Sequence, residues 1–391
     1  MPRGVQLPGP RQSAHGRNQG GRGQHDPLPD HLLLIPRLPP AEAILAAPSG
    51  RSSEGEEIGR SREGRPIRAF KFGSGTLRLS LLAGCHADEP VGPRLLRHLT
   101  GFLGRLPADD PLLTEFEWWV MPHINPDGAR RNRSWQRAGA DLYELSAYLA
   151  GVVRELPGDD IEFGFPREPE DPEARPENRA ALDWWKSADG PFAMHASLHG
   201  MGFGAGPWFL IEQAWSERCG GLMARCAEAT ESLGYALHDV ERGGEKGFFR
   251  IARGFCTRPD SRYMRAHFMS LGDEATAGRF RPSSMEAVRA LGGDPLTLVS
   301  EMPLFITPGV GEELGPPDPA AIAWRERLET WRERLRFGGA GNEVRAHDTE
   351  ARAVEAEAAK AGLRPMPVPD QMRLQWSFIS AGLEQVVHEL S

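Results

Sequence analysis

Short apolar runs recur along the chain. Most are followed by stretches in which apolar residues return every three or four positions. Leu77–Ala83 is the first such run and suits a strand buried on both faces. Leu95, Leu99, Phe102 and Leu106 follow at helical spacing and define one core-facing stripe. Phe116–Met121 (FEWWVM) reads as a second buried strand, residues 192–198 as a third, 208–212 as a fourth and 296–300 as another. Residues 58–72 read as strand, turn, strand, with Glu63–Gly64 at the turn. Helices are expected over 180–185 and 216–233, and charged helices over 324–336, 349–363 and 378–390. Strands alternating with helices predict an α/β fold with a mostly parallel or mixed sheet.

Composition bounds what such a fold can be. The chain has 391 residues, enough for one large domain or two small ones at about 100–200 residues each. Forty per cent are hydrophobic and 26% charged, which excludes a wholly disordered or fibrous chain. Residues 1–30 are rich in Gly, Pro, Gln and Arg and are expected to be disordered. Residues 157–178 are rich in Pro and acid and read as a long excursion from the fold. A formal net charge of −8 argues against nucleic acid or an anionic membrane as the main partner. No apolar run reaches the roughly 18 residues needed to span a bilayer, and the first residues lack a signal-peptide core. The four cysteines form no CxxC pair and are too few for a disulfide scaffold. A cytoplasmic location is therefore the expectation. Only four of the 46 basic residues are lysines: Lys71, Lys186, Lys246 and Lys360.

The chemistry lies just beyond, or within, the expected strands. Gly84–Cys85–His86–Ala87–Asp88–Glu89 follows the first, and His123–Ile124–Asn125–Pro126–Asp127–Gly128 follows the second. His199 ends the third, and Glu301 falls inside the apolar run LTLVSEMPLFI. Open α/β sheets place ligands at the carboxyl ends of their strands. His86, Glu89, His199 and Glu301 can thus converge despite their separation in sequence. Two imidazoles and a carboxylate are the ligand set of a catalytic zinc with an open position for water. A second carboxylate nearby can act as general base. An acid inside an apolar run is costly without a purpose or a partner, which singles out Glu301. His195, four residues before His199, reads as a satisfied core or cleft-lining histidine, and His123 as structural. The Gly- and Arg-rich stretch 242–267 reads as a loop that meets an anionic group of the substrate.

Several blocks, in order, resemble the zinc carboxypeptidase (M14) superfamily. IGRSREGRPI is similar to its opening strand and turn, and LLAGCHADEPVG to its zinc-binding HxxE block. MPHINPDG resembles its NPDG turn, SLHGMG the block of the third zinc ligand, and LVSEMP the strand with the catalytic glutamate. The resemblance implies a three-layer α/β/α fold around a central mixed, mostly parallel sheet, and one Zn2+ per chain held by His86, Glu89 and His199. It implies that Glu301 takes a proton from the metal-bound water and passes it to the leaving nitrogen. It further implies an oxyanion-stabilising arginine after NPDG, assigned to Arg133 among Arg130, Arg131 and Arg133, with Arg131 as a substrate contact. Asp141 would orient a zinc histidine from behind.

The departures concern the substrate. The family's Asn-Arg pair, which grips a C-terminal carboxylate, is replaced by Tyr143–Glu144, and a glutamate there repels such a group. The block that carries the family's cleft tyrosine aligns loosely with residues 283–289 and puts Arg289 near that position. The expected organisation is a disordered 1–30, a catalytic domain over 31–340 and a helical C-terminal extension over 341–391 packed on it. The expected activity is zinc-dependent hydrolysis of a peptide or amide bond. The alternatives are an amino-acid deacylase or specialised amidase of the same superfamily, and a non-catalytic binding protein that retains the metal. The expected partner is a peptide or an acylated amino acid.

Overall fold

The computed structural model describes residues 37–50, 55–312, 314–315, 318–337 and 344–390. The expected disorder of residues 1–30 lies outside them. The described residues belong to one compact unit.

Ten strands of the described residues form one sheet. They are β1 (Glu56–Arg60), β2 (Pro66–Phe72), β3 (Leu77–Ala83), β4 (Phe116–Met121), β5 (Met194–Gly204), β6 (Trp208–Ile211), β7 (Arg250–Ala252), β8 (Phe255–Thr257), β9 (Leu296–Ile306) and β10 (Arg364–Pro365). The order is β1-β2-β4-β3-β5-β9-β6-β8-β7, with β10 on the far end of β9. The centre, β4-β3-β5-β9, is parallel. Antiparallel pairings flank it on both sides. The fold is thus α/β with a mixed sheet and helices on both faces.

The apolar runs are buried on both faces, as their composition requires. On β3, Leu79, Leu81 and Ala83 face the helices Val91–Leu103 and Val368–Leu390, whereas Leu82 faces the opposite layer with Trp184 and Trp185. On β4, Phe116, Trp118 and Val120 join the first layer and Trp119 and Met121 the second. The two tryptophan pairs are therefore core.

β5 and β9 are longer than their apolar runs predicted. Each continues for several residues beyond its first polar position, so His199 and Glu301 sit inside strands. The C-terminal helices span Pro319–Phe337, Val344–Lys360 and Val368–Leu390, and the last packs against β5 and β9. Its buried Gln375 donates to the His199 carbonyl (3.1 Å). No described helix is long and apolar enough to cross a membrane.

Candidate metal centre and cleft

Three local devices bring the donor atoms together. First, β3 ends in Gly84, whose φ of +73° turns the chain sharply. A Cβ there would lie 2.7 Å from the His123 ring. The turn carries His86 and Glu89 over the ends of the parallel strands. Second, β5 and β9 pair in parallel with His199 opposite Glu301. Third, the NPDG segment braces the turn from outside. The Asn125 side chain accepts from Gly128 N (2.9 Å), and the buried Asn132 amide donates to Ala87 O (3.0 Å).

The result is a tight cluster. His86 Nδ1 lies 2.7 Å from Glu89 Oε1, and His199 Nδ1 lies 3.0 Å from Glu89 Oε2 and 3.1 Å from His86 Nδ1. Burial opposes the charge of Glu89, but the two imidazoles hold its carboxyl well below the ordinary range. The donor set fits a divalent cation. Its atoms all lie within 4.8 Å of one another. Moreover, His199 Nε2 meets Ser197 Oγ (2.7 Å) and Glu162 Oε2 (3.3 Å), which fixes the ring with Nδ1 facing the cluster.

Cys85, Glu162 and His199 form a second possible ligand group around Nε2. Glu162 is already engaged by Arg258 Nη2 (2.8 Å) and Ser284 Oγ (2.9 Å), and burial pushes the Cys85 thiol up to about 12. This side backs the histidine rather than offering a second metal site.

Small-ligand sites are typically cavities of about 300–1,000 Å³. The cleft over the cluster measures about 440 Å³ and is lined by His86, His199 and Glu301. Burial, then the neighbouring Glu89, raises the Glu301 carboxyl to about 8. Phe163, Phe248, Phe268 and Phe280 supply an apolar wall. Among the described residues, four cations reach the cleft: Arg154, Arg242, Lys246 and Arg258. Arg154, half-exposed, lies 3.3 Å from Glu89 and 3.5 Å from Asp88. Arg242 and Lys246 share a single carboxylate, Glu245, at 3.2 and 3.7 Å. Lys246 has φ +58°, the one non-glycine residue in the left-handed region among the described residues.

The structure brings His86, Glu89, His199 and Glu301 to one cleft, but not the other expected site residues. Asp141 is 74% exposed and meets Arg94 (3.4 Å). The carboxylate behind a cluster histidine is instead Glu162, from the Pro- and acid-rich excursion. Arg131 is exposed and pairs with Glu63 (2.8 Å). Arg133 is exposed and lines a separate pocket with His123. The cause is Asn132. Its buried amide anchors the end of the Pro126–Arg131 helix, so the next residue turns outward. Arg289 pairs with Glu212 in another pocket. Tyr143 is buried against Trp135, and Glu144 pairs with Arg137 at the surface, so neither replaces a carboxylate clamp in the cleft. His195 is buried and bonded through both ring nitrogens, to Ser80 (2.9 Å) and Ser284 (3.0 Å). The 242–267 stretch does line the cleft, through Arg242, Lys246, Phe248, Arg258 and Met264. Arg154 and Glu162 were missed because nothing periodic surrounds them. A charged pair flanking a Pro-rich excursion was the only signal.

Comparison with known proteins agrees with this geometry. The sequence profile of the zinc carboxypeptidase family matches residues 45–205, a span that holds His86, Glu89 and His199. Carboxypeptidase B of Astacus astacus is 32% identical over 77 residues, 19% of this chain and 25% of that protein. Carboxypeptidase M of Mus musculus is 27% identical over 156 residues, 37% of this chain and 32% of that protein. The matched regions thus span a third or less of these relatives. Among solved structures, carboxypeptidase A of Helicoverpa armigera covers 78% of this chain and 69% of its own at 14% identity and a TM-score of 0.38. The murein-tripeptide amidase of Escherichia coli O157 covers 76% of this chain and 97% of its own at 19% identity and a TM-score of 0.33. Over residues 45–205 the chain is similar to the zinc carboxypeptidases, as a divergent, carboxypeptidase-like sequence.

Proposed function

We propose that the protein is a zinc-dependent hydrolase that cleaves a peptide or related amide bond, with one ion per chain held by His86, Glu89 and His199. The observation that carries this reading is the convergence of those three donors with Glu301 in one cleft. When bound, the ion supplies a Lewis acid that polarises a carbonyl and lowers the pKa of water. The protein's own groups do the rest. Glu301 takes a proton from the attacking water and returns it to the leaving nitrogen, a role suited to a carboxyl whose affinity for protons burial has raised. Arg154, at the cleft edge, faces the negative charge that develops on the carbonyl oxygen. Glu162 and Ser197 hold the His199 ring in register. Arg242 and Lys246, two cations on one carboxylate, take an anionic group of the substrate. A cytoplasmic setting belongs to the same proposal.

The substrate is a small peptide or an acylated amino acid. The phenylalanine wall of the cleft favours the latter as a second reading, since it offers apolar surface to an acyl group. The test is metal analysis with a panel of peptides and acylated amino acids, each with a free or amidated carboxyl end. Stoichiometric zinc is expected, together with hydrolysis that Glu301→Gln lowers by roughly 10²–10⁴-fold. Protein without bound metal, or hydrolysis that survives Glu301→Gln, overturns the proposal.

A further inference from the structure

Arg133 leads away from the cleft to a second cavity. It measures about 350 Å³ and opens beside the start of β2 and the end of β4, on the outer side of the metal-binding turn. Its lining is basic: Arg65, Arg68, Arg97, Arg130, Arg133 and His123 all reach it. No described carboxylate lines it.

Among the described residues, the charges around this cavity do not balance. Arg65 is matched by Asp127 (2.6 Å) and Arg68 by Glu57 (3.0 Å). For Arg97, Arg130 and Arg133 no described carboxylate lies within ion-pair distance. By contrast, Arg154 and Arg258 in the cleft and Arg281 in a third cavity each meet a carboxylate. Arg97 spends one donor on Pro93 O (3.1 Å). Burial and the neighbouring Arg94 both oppose its charge. Arg130 lies in the last turn of the Pro126–Arg131 helix and Arg133 just past its cap Asn132, with Arg133 N donating to Arg130 O (3.3 Å), so the two like charges sit close along the chain. His123 adds no positive charge, because burial and Arg97 push it down to about 3. Three guanidiniums from two separate segments thus face one cavity without a described counter-charge, and an anion entering it meets all three. Guanidinium forks match phosphate geometry. Phe70 and Pro122 give the same cavity an apolar wall.

We propose that this cavity binds a small multivalent oxyanion, a phosphate group, through Arg97, Arg130 and Arg133. The phosphate is either free or carried on a small organic molecule whose body lies on Phe70 and Pro122. The site is separate from the cleft and independent of the hydrolytic reading.

The test is calorimetric titration of the full-length, zinc-loaded protein with inorganic phosphate, pyrophosphate and phenyl phosphate, against chloride at matched ionic strength. Saturable binding is expected, weakened about tenfold or more in Arg97→Met and in the double variant Arg130→Ala/Arg133→Ala. Both residues of the double variant are exposed, so its fold is not at risk. Tighter binding of phenyl phosphate than of inorganic phosphate identifies an organic carrier, and equal binding identifies the free ion. Affinity is expected to be unchanged in His86→Ala. The proposal is overturned by the absence of saturable binding, by undiminished affinity in both arginine variants, or by loss of binding in His86→Ala alone, which places the phosphate at the metal centre instead.

Discussion

His199 works through both of its ring nitrogens. Nδ1 faces Glu89 and His86, while Nε2 is held by Ser197 and Glu162. Burial opposes the charge of Glu162, yet Arg258 and His199 keep its carboxyl well below the ordinary range. The carboxylate therefore stays ionised and fixes the proton of His199 on Nε2. Glu162→Gln keeps the side-chain shape but removes that charge. It is expected to weaken zinc affinity by about 10–100-fold in competition with a chelator. Unchanged affinity would show that Ser197 alone positions the ring. At this scale the sequence was partly legible. His86, Glu89, His199 and Glu301 stand out because polar residues at strand ends, or inside an apolar run, conflict with their surroundings. Glu162 and Arg154 sit in or beside a segment without periodicity, where a functional acid looks like any solvated one. Arg133 was misplaced because spacing along the chain does not reveal that Asn132 is the anchored residue.

Elements place these residues, and the NPDG turn does so for the metal-binding loop. Asn125 caps the Pro126–Arg131 helix, and its Nδ2 reaches Glu155 Oε1 (2.6 Å) and Cys85 O (3.5 Å). Asp127 accepts from Ser61 Oγ (2.7 Å), Glu63 N (3.0 Å) and Arg65, so it ties the β1–β2 hairpin to the same helix. The turn is structural and contributes no group to the cleft. Asn125→Ala is expected to cost about 1–2 kcal/mol from the lost cap, read as a lower urea midpoint with unchanged slope. A midpoint equal to the wild type's would mean that Glu155 and the Cys85 carbonyl find other partners. The strand interiors were legible from apolar runs alone, but the ends of β5 and β9 were not. Their ladders continue past His199 and Glu301 because strand pairing, unlike hydrophobic patterning, tolerates a polar residue that faces a cleft. β7, β8 and β10 are only two or three residues long, too short for any period to show.

At the scale of the whole molecule, one core runs from Ile44 on the first described helix to Val387 on the last, so the C-terminal helices are part of what holds the cleft. Gln375 shows the connection, since it reaches both the His199 carbonyl and Ser300 Oγ. Such a core should fail as a unit, and acid is the condition that reaches it. Among the described residues, three histidines outside the metal cluster are held neutral, His195 fully buried and His123 and His238 half-buried. Burial holds His123 down at about 3, His238 at about 4 and His195 well below its ordinary value. Each folded-state pKa lies below the unfolded value of about 6.5, so the unfolded chain binds the extra proton first. Their stabilising contribution is complete above that value and is lost as pH falls through it toward the folded values. Each histidine contributes about 1.4 kcal/mol per pH unit between roughly pH 6 and 4. Their positions differ: His123 lies beneath the metal-binding turn, His195 in the centre of the sheet and His238 beside Trp208. The slopes should therefore add. Glu301 works the other way: its carboxyl, raised to about 8, takes up a proton in the folded protein first and offsets about one of these slopes. Urea midpoints measured from pH 7 to pH 5 are expected to fall, and His238→Gln, which removes one titrating group, is expected to flatten the fall by about half. Stability that is level across this range would mean that these imidazoles gain protons in the folded protein almost as readily as in the unfolded chain, so that their packing does not keep them neutral.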